Sequence, residues 1–175
     1  MKEHLLQFFV PGIPRPGGSK RAFAIRKKDG SIGVRVADMG GNLTMTWRST
    51  VADFARQAMQ SHEPFTQAIV LEVLFRMPRP KAHFSHRTGE VSFRYELCLC
   101  TKRPDATKLL RAVEDALSGI VWHDDAQIVK QYVWKFYDVN PGAFITVSNA
   151  DVFEVLQKRK EHVYREVQRK LTQDP

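Results

Sequence analysis

Residues 103–125 read RPDATKLLRAVEDALSGIVWHDD and contain the clearest helical pattern in the chain. At 100° per residue, apolar side chains fall on one stripe and polar side chains on another. The apolar stripe comprises Leu109, Leu110, Val113, Ala116, Leu117 and Ile120, and the polar stripe comprises Thr107, Lys108, Arg111, Glu114, Asp115 and Ser118. The pattern predicts a helix that packs one face on the core and leaves the other face open for chemistry.

Acidic residues stand at both ends of this predicted helix. Asp105 follows a proline and suits an N-cap, whose carboxylate accepts the free backbone N–H groups of the first turn. Asp124 and Asp125 follow the helix and are, by themselves, typical of a solvated turn. If the chain returns along the helix, this pair would approach Asp105, and a divalent cation would relieve the repulsion while binding a phosphate. The stretch therefore favours a metal-dependent site for a phosphate-containing substrate.

Length and charge limit the class of protein. A chain of 175 residues that is 43% hydrophobic can bury one core, and its formal net charge of +8 favours a polyanionic partner. Cys98 and Cys100 alternate, which predicts buried free thiols in a reducing compartment. We expect neither a cleavable leader nor a membrane helix, because no apolar run approaches the ~20 residues that a membrane helix needs. We therefore expect a soluble, cytoplasmic protein without a membrane partner or a small-molecule cofactor.

The order of predicted elements indicates an α/β (α+β) fold. We expect a single compact domain over residues 1–150, with a mixed β-sheet packed by helices, and a C-terminal helical tail over 151–175. Strands are expected at 4–10, 21–26, 32–36, 68–77, 97–100, 129–137 and 143–148, and further helices at 46–62 and 151–172. Hairpins are expected at the basic turn 27–30 and around 140–142.

The tail carries a thin apolar stripe at helical spacing. This stripe consists of Val152, Leu156, Val163, Val167 and Leu171. Such a helix could dock on the domain or pair with a copy of itself, and the sequence leaves both arrangements open.

The central stretch resembles the signature of the RusA-type Holliday junction resolvases. Pro104-Asp105, the helix through Arg111 and Asp115, and the run WHDDAQIV at 122–129 carry the resemblance. It extends to the N-terminal strand, the turn near Lys20-Arg21 and the loop 79–83, and spans roughly residues 5–148. The resemblance implies a homodimeric, Mg²⁺-dependent crossover junction endodeoxyribonuclease that resolves four-way DNA junctions in recombination and repair, with Mn²⁺ as a substitute metal.

The resemblance also implies roles for individual residues. Asp105 matches the first acid of the family pattern, and Asp125 matches the metal-binding member of its aspartate pair. Both are expected to be catalytic metal ligands, supported by Asp124 and by Thr107, which replaces the family's second acid. Arg111 replaces a lysine and is expected to stabilise charge in the reaction, because arginine binds phosphate but does not donate a proton.

The threonine leaves two other functions open. The chain could be a junction-binding protein that has lost the chemistry, or a metal-dependent nuclease for another nucleic acid. A replacement acid could come from Asp115, Glu114, Asp124 or Glu72. For Asp115 we expect instead an i,i+4 ion pair with Arg111.

Basic side chains outside the polar stripe are expected to line the DNA path. The candidates, together with Lys108 of the helix, are Lys20, Arg21, Lys27, Lys28, Arg79, Lys81 and Arg103. A solvated hairpin is the alternative for those at 20–28. In the loop that follows, His83 and His86 are expected to be solvated, and Phe84 or Phe93 to pack on the domain or to wedge into a junction. Trp47, Trp122 and Trp134 are expected in the core.

Overall fold

The computed structural model describes residues 5–18, 20–38 and 41–151. Its strands are β1 (Leu5–Pro11), β2 (Lys20–Arg26), β3 (Ile32–Asp38), β4 (Ile69–Pro78), β5 (Ile128–Asp138) and β6 (Gly142–Asn149), and its helices are α1 (Gly41–Met59) and α2 (Ala106–Leu117). The predicted fold class, a mixed sheet packed by helices, is confirmed. The predicted tail helix lies outside the described residues.

The main sheet has the strand order β1-β6-β4-β5. β6 is antiparallel to β1 and to β4, whereas β5 runs parallel to β4. The hairpin predicted around 140–142 is therefore wrong, because β4 lies between β5 and β6. The nearly continuous apolar run of β4 explains its place between two other strands.

Both helices pack on one face of this sheet. β4 alternates in burial, with Ile69, Leu71, Val73 and Phe75 fully buried beneath the helices. The predicted apolar stripe of α2 is confirmed, except that Ile120, beyond the helix end, is only partly buried. This packing fixes which face of α2 remains open to solvent.

The hairpin of β2 and β3 is confirmed as a separate two-stranded antiparallel sheet. Its turn is closed by a hydrogen bond from Lys27 N to Ser31 O at 2.8 Å, and Gly30 adopts a φ of 83°. Glycine reaches this left-handed conformation without steric penalty, which explains its place in the turn.

Several predicted boundaries and environments are corrected by the structure. Helix α1 begins at Gly41, five residues before the predicted start at 46. It ends at Met59, three residues before the predicted end at 62. Residues 97–100 form no regular strand, although Cys98 and Cys100 exchange backbone hydrogen bonds with β5.

Both thiols are free, with Cys98 only partly buried. Trp134 is 55% exposed rather than in the core, because it lies on the edge strand and faces away from the helices. Among the described helices, none is long and apolar enough to span a membrane.

Candidate active site

The Asp105 carboxylate is open to solvent at the start of α2. Asp105 occupies the N-cap position, and its backbone carbonyl accepts hydrogen bonds from Lys108 N and Leu109 N at 3.1 Å. Its carboxylate makes no capping hydrogen bond, contrary to the prediction, and instead lies 3.5 Å from Lys108 Nζ with the side chain 58% exposed. The carboxylate oxygens therefore remain accessible to an external ligand.

A cleft of about 660 Å³ opens beside Asp105. Its walls come from the turn after β1, from the end of β4 and from the loop before α2. The residues that line it are Ile13, Pro14, Arg15, Pro16, Met77, Pro78, Arg103, Pro104, Asp105 and Lys108. Three basic side chains thus surround one carboxylate, an arrangement suited to a phosphate group that binds together with a cation.

The turn that carries Arg15 is fixed against α2. Gly17 N donates a hydrogen bond to Lys108 O at 2.7 Å. A Cβ at Gly17 would lie 3.4 Å from that same oxygen and 3.5 Å from the Arg111 side chain, so this contact favours glycine. Arg15 was missed by the sequence analysis. The signal available was a proline on each side of it, which restricts the backbone but gives no information about its spatial neighbours.

Lys135 lies on strand β5 and binds the backbone of the loop that precedes Asp105. Its ammonium donates hydrogen bonds to the backbone carbonyls of Lys102 at 2.6 Å and of Pro104 at 2.7 Å. The sequence analysis assigned no role to this lysine. Its two hydrogen bonds fix the backbone directly before the cleft carboxylate.

The other predicted metal ligand lies near the opposite end of α2. Asp125 accepts a hydrogen bond from Trp122 Nε1 at 2.8 Å. Burial, followed by repulsion from Asp125, raises the pKa of Glu114. Glu114 is nine residues beyond Asp105, or about 13 Å along the helix. Among the described residues, no three Asp, Glu, His or Cys side chains are grouped closely enough to hold a metal ion.

Asp124 caps the short 3₁₀ turn Asp125–Gln127. Its carboxylate accepts a hydrogen bond from Ala126 N at 2.8 Å, while Gln127 Oε1 accepts from His123 N and Asp124 N. Gln127 Nε2 also donates to the carbonyls of Phe65 and Gln67, which ties this turn to the segment before β4. Asp124 therefore has a structural role as well as its proposed metal role.

The replacement acids that the sequence suggested have different surroundings. Asp115 pairs with Arg48 of α1, so the predicted pair with Arg111 is wrong. The two helices pack side by side, which lets Arg48 reach across. Glu72 lies on the face of β4 that points away from α2 and is not placed to complete a site there. Thr107 and Arg111 are both exposed on the polar stripe.

The predicted DNA-binding residues are distributed over several surfaces. Lys27, Lys28 and Lys81 are exposed outside the cleft, and only the backbone is described for Lys20 and Arg21. Arg79 instead braces its own loop, because its terminal nitrogens donate to the carbonyls of Tyr95 and Glu96. Among the predicted residues whose side chains the structure describes, Arg103 and Lys108 line the cleft and the others do not.

The loop after β4 differs from its prediction at His83, and it excludes one of the two alternatives for Phe93. His83 is buried rather than solvated, stacked on Tyr95 at 4.3 Å between ring centroids and edge-on to Tyr137 at 4.9 Å. His86 is exposed, as expected. Phe93 is 90% exposed, so it does not pack on its own domain.

Comparisons with known proteins identify the family to which the chain is similar. A family model described as "Endodeoxyribonuclease RusA" matches residues 16–148, which is well over half of the chain. The chain is also similar to "Uncharacterized protein YqaN" of Bacillus subtilis (strain 168), with 29% identity over 83 residues. This alignment covers 46% of the chain and 58% of the relative, so the chain spans little more than half the relative's length.

Proposed function

Because the chain belongs to the RusA endodeoxyribonuclease family, we propose that it cleaves four-way DNA junctions by metal-dependent hydrolysis of a phosphodiester bond. The observation that carries the proposal is the Asp105 carboxylate, which makes no capping hydrogen bond. It lies in a cleft that is also lined by Arg15, Arg103 and Lys108. Carboxylate oxygens are preferred ligands of hard divalent cations, and basic side chains bind the DNA backbone.

The donor set at the cleft suits Mg²⁺, with Mn²⁺ as a substitute. Mg²⁺ sites often use only one or two carboxylates, with water and substrate phosphate as the other ligands. Asp105 would supply the carboxylate and Thr107 a supporting hydroxyl. Asp125 would be a second metal ligand, supported by Asp124, near the end of α2. The repulsion between Asp125 and Glu114 favours a cation at this position. When bound, the metal would activate water and stabilise charge on the phosphate.

The basic residues of the chain have separate proposed roles in this reaction. Arg15, Arg103 and Lys108 would hold the phosphates of the strand that enters the cleft. Arg111 is exposed on α2 between the two acidic positions and would offset negative charge that develops during cleavage. Arginine binds phosphate but is not a proton donor in proteins, so we give Arg111 no proton-transfer role.

A homodimer is part of the proposal. A four-way junction carries equivalent strands related by a two-fold axis, and two copies of one chain present two equivalent clefts. Cuts at both clefts would resolve the junction into two duplexes, which is the step that recombination and repair require.

The proposal is tested by cleavage of a labelled synthetic junction with Mg²⁺, Mn²⁺ or EDTA, beside linear duplex of the same sequence. We expect paired, metal-dependent nicks in the junction only. Asp105→Asn should abolish cleavage and leave junction binding nearly intact. Asp53→Asn is the matched control, because Asp53 is exposed on α1 and pairs with Arg56. Full activity in Asp105→Asn would place the active site elsewhere.

Thr107 favours a second candidate, a junction-binding protein that no longer cleaves. A neutral hydroxyl is a weaker metal ligand than the carboxylate that the family pattern has at this position. Tight junction binding without cleavage in either metal would support this candidate. Preferred cleavage of duplex DNA or RNA at the same salt concentration would indicate a nuclease for another substrate.

A further inference from the structure

The face of the main sheet opposite the helices is uncovered within the described residues. Phe9, Phe144, Leu74 and Trp134 are neighbours across the four strands and form one apolar row. Trp134 is 55% exposed and Phe144 37% exposed. Tyr132 lies on the same face, and its side chain is 42% exposed. We call this surface the open face.

Apolar surface of this kind normally has a partner. β4 lies inside the sheet, where it pairs with β5 in parallel and with β6 antiparallel. The sequence of β4, IVLEVLFRMP, also has apolar residues pointing to both faces. A contiguous exposed apolar patch typically marks an interaction site. The open face is therefore expected to be covered in solution.

The chain leaves the sheet at one end of this face. Asn149, the last residue of β6, is the register partner of Ile69, and Ala150 N donates a hydrogen bond to Ala68 O at 2.8 Å. Residues 152–175 follow directly. The tail thus begins three residues after the last residue of β6 in the sequence.

The tail has the sequence pattern and length that this face requires. In a helix, Val152, Leu156, Val163 and Val167 would fall within an arc of about 60°. A helix over 152–171 would be about 30 Å long, and the ten residues of β4 extend about 33 Å. One helix could therefore cover the sheet along its central strand.

We propose that residues 152–171 form an amphipathic helix whose apolar stripe packs on the open face of the same chain. The helix would give the sheet a second covering layer opposite α1 and α2. This inference concerns a surface outside the cleft, and it holds whether or not the protein cleaves DNA.

Trp134 provides an internal probe for this docking. The chain has three tryptophans, and Trp47 and Trp122 are 4% and 0% exposed. Quenching of tryptophan fluorescence by acrylamide therefore reports chiefly on Trp134. If the tail covers the open face, quenching in the full chain is weak.

The test compares the full-length wild type with two double variants, a stripe variant and a control variant. Val163→Glu/Val167→Glu places charges on the stripe, whereas Gln157→Glu/Gln168→Glu adds the same charge outside it. We expect increased quenching only in the stripe variant, and Trp134→Phe in that background should remove the increase. Equal quenching in all three proteins would overturn the proposal.

The alternative is that a second copy of the chain covers the open face. Sedimentation equilibrium measures whether the protein associates, and quenching at several protein concentrations measures whether Trp134 is protected by that association. Protection of Trp134 that rises with protein concentration and persists in the stripe variant would overturn tail docking. Protection that is independent of concentration and lost in the stripe variant would support it.

Discussion

Arg15 is half-buried between two prolines and lines the same cleft as Asp105. If this cleft is the DNA path, Arg15→Gln should weaken binding to every DNA sequence. The slope of log K against log salt concentration should become shallower by about 1, because one phosphate contact is lost. Binding titrations at several salt concentrations measure this slope.

Arg56→Gln is the control for Arg15→Gln. Arg56 is exposed on α1 and forms an ion pair with Asp53. We expect the control to bind with an unchanged salt slope. An unchanged slope in Arg15→Gln as well would exclude a phosphate contact at this position.

Glu114 gives a prediction about pH and stability. Its pKa is raised because burial disfavours the charged carboxylate and Asp125 adds repulsion. The native state therefore holds this proton more tightly than the unfolded state, and stability falls as pH rises between the two pKa values. Glu114→Gln removes the charge and keeps an acceptor for Gln131. We expect a higher Tm than wild type at pH 7, with the difference disappearing as pH falls below about 4.3.

Glu63→Gln is the control for this pH dependence, because Glu63 is exposed. Thermal unfolding from pH 3 to pH 8 should show no comparable difference from wild type in this variant. A Tm difference for Glu114→Gln that stays constant with pH would point to a packing effect instead of charge.

At the scale of elements, β5 supports the segment that leads into α2. Lys135→Met removes both hydrogen bonds to the carbonyls of Lys102 and Pro104. We expect a loss of about 1.5–3 kcal/mol in the free energy of unfolding, the range for a hydrogen bond to a charged group. Urea unfolding measures this loss, and junction cleavage should fall as well because the backbone before Asp105 is released.

Lys130→Met tests whether this effect is specific to the cleft side of the strand. Lys130 lies on the opposite face of β5, over the Tyr132 ring. Its substitution should leave junction cleavage unchanged. Equal loss of cleavage in both variants would indicate a general effect on β5.

At the scale of the whole molecule, the proposed dimer predicts a stoichiometry. Two protomers should bind one four-way junction, because two equivalent clefts are needed for two cuts. Titration of a labelled junction at concentrations well above Kd, followed by sedimentation, measures the ratio. A complex with one protomer per junction would contradict the dimer and would predict unpaired nicks.

Much of the secondary structure could be predicted from local sequence patterns. The alternation of apolar and polar residues identified α2 and its buried face, and the Asp-Gly turn identified the hairpin of β2 and β3. The position of Asp105 at the start of α2 was also predictable from the preceding proline. These features depend on residues close together in the chain, so their patterns are visible without a tertiary structure.

The sequence by itself determined α2, the hairpin of β2 and β3 and the four segments that form the main sheet, and that acidic and basic residues accompany α2. Only the tertiary structure decided that β4 separates β5 from β6, that Asp115 pairs with Arg48, and that Arg15 shares a cleft with Asp105. It also placed Asp125 near the end of α2 instead of at its start, because Asp125 accepts a hydrogen bond from Trp122, which bridges to Ser118 directly after the helix. The physical reason is that local periodicity depends on neighbouring residues, whereas strand order and the site depend on how distant segments pack together.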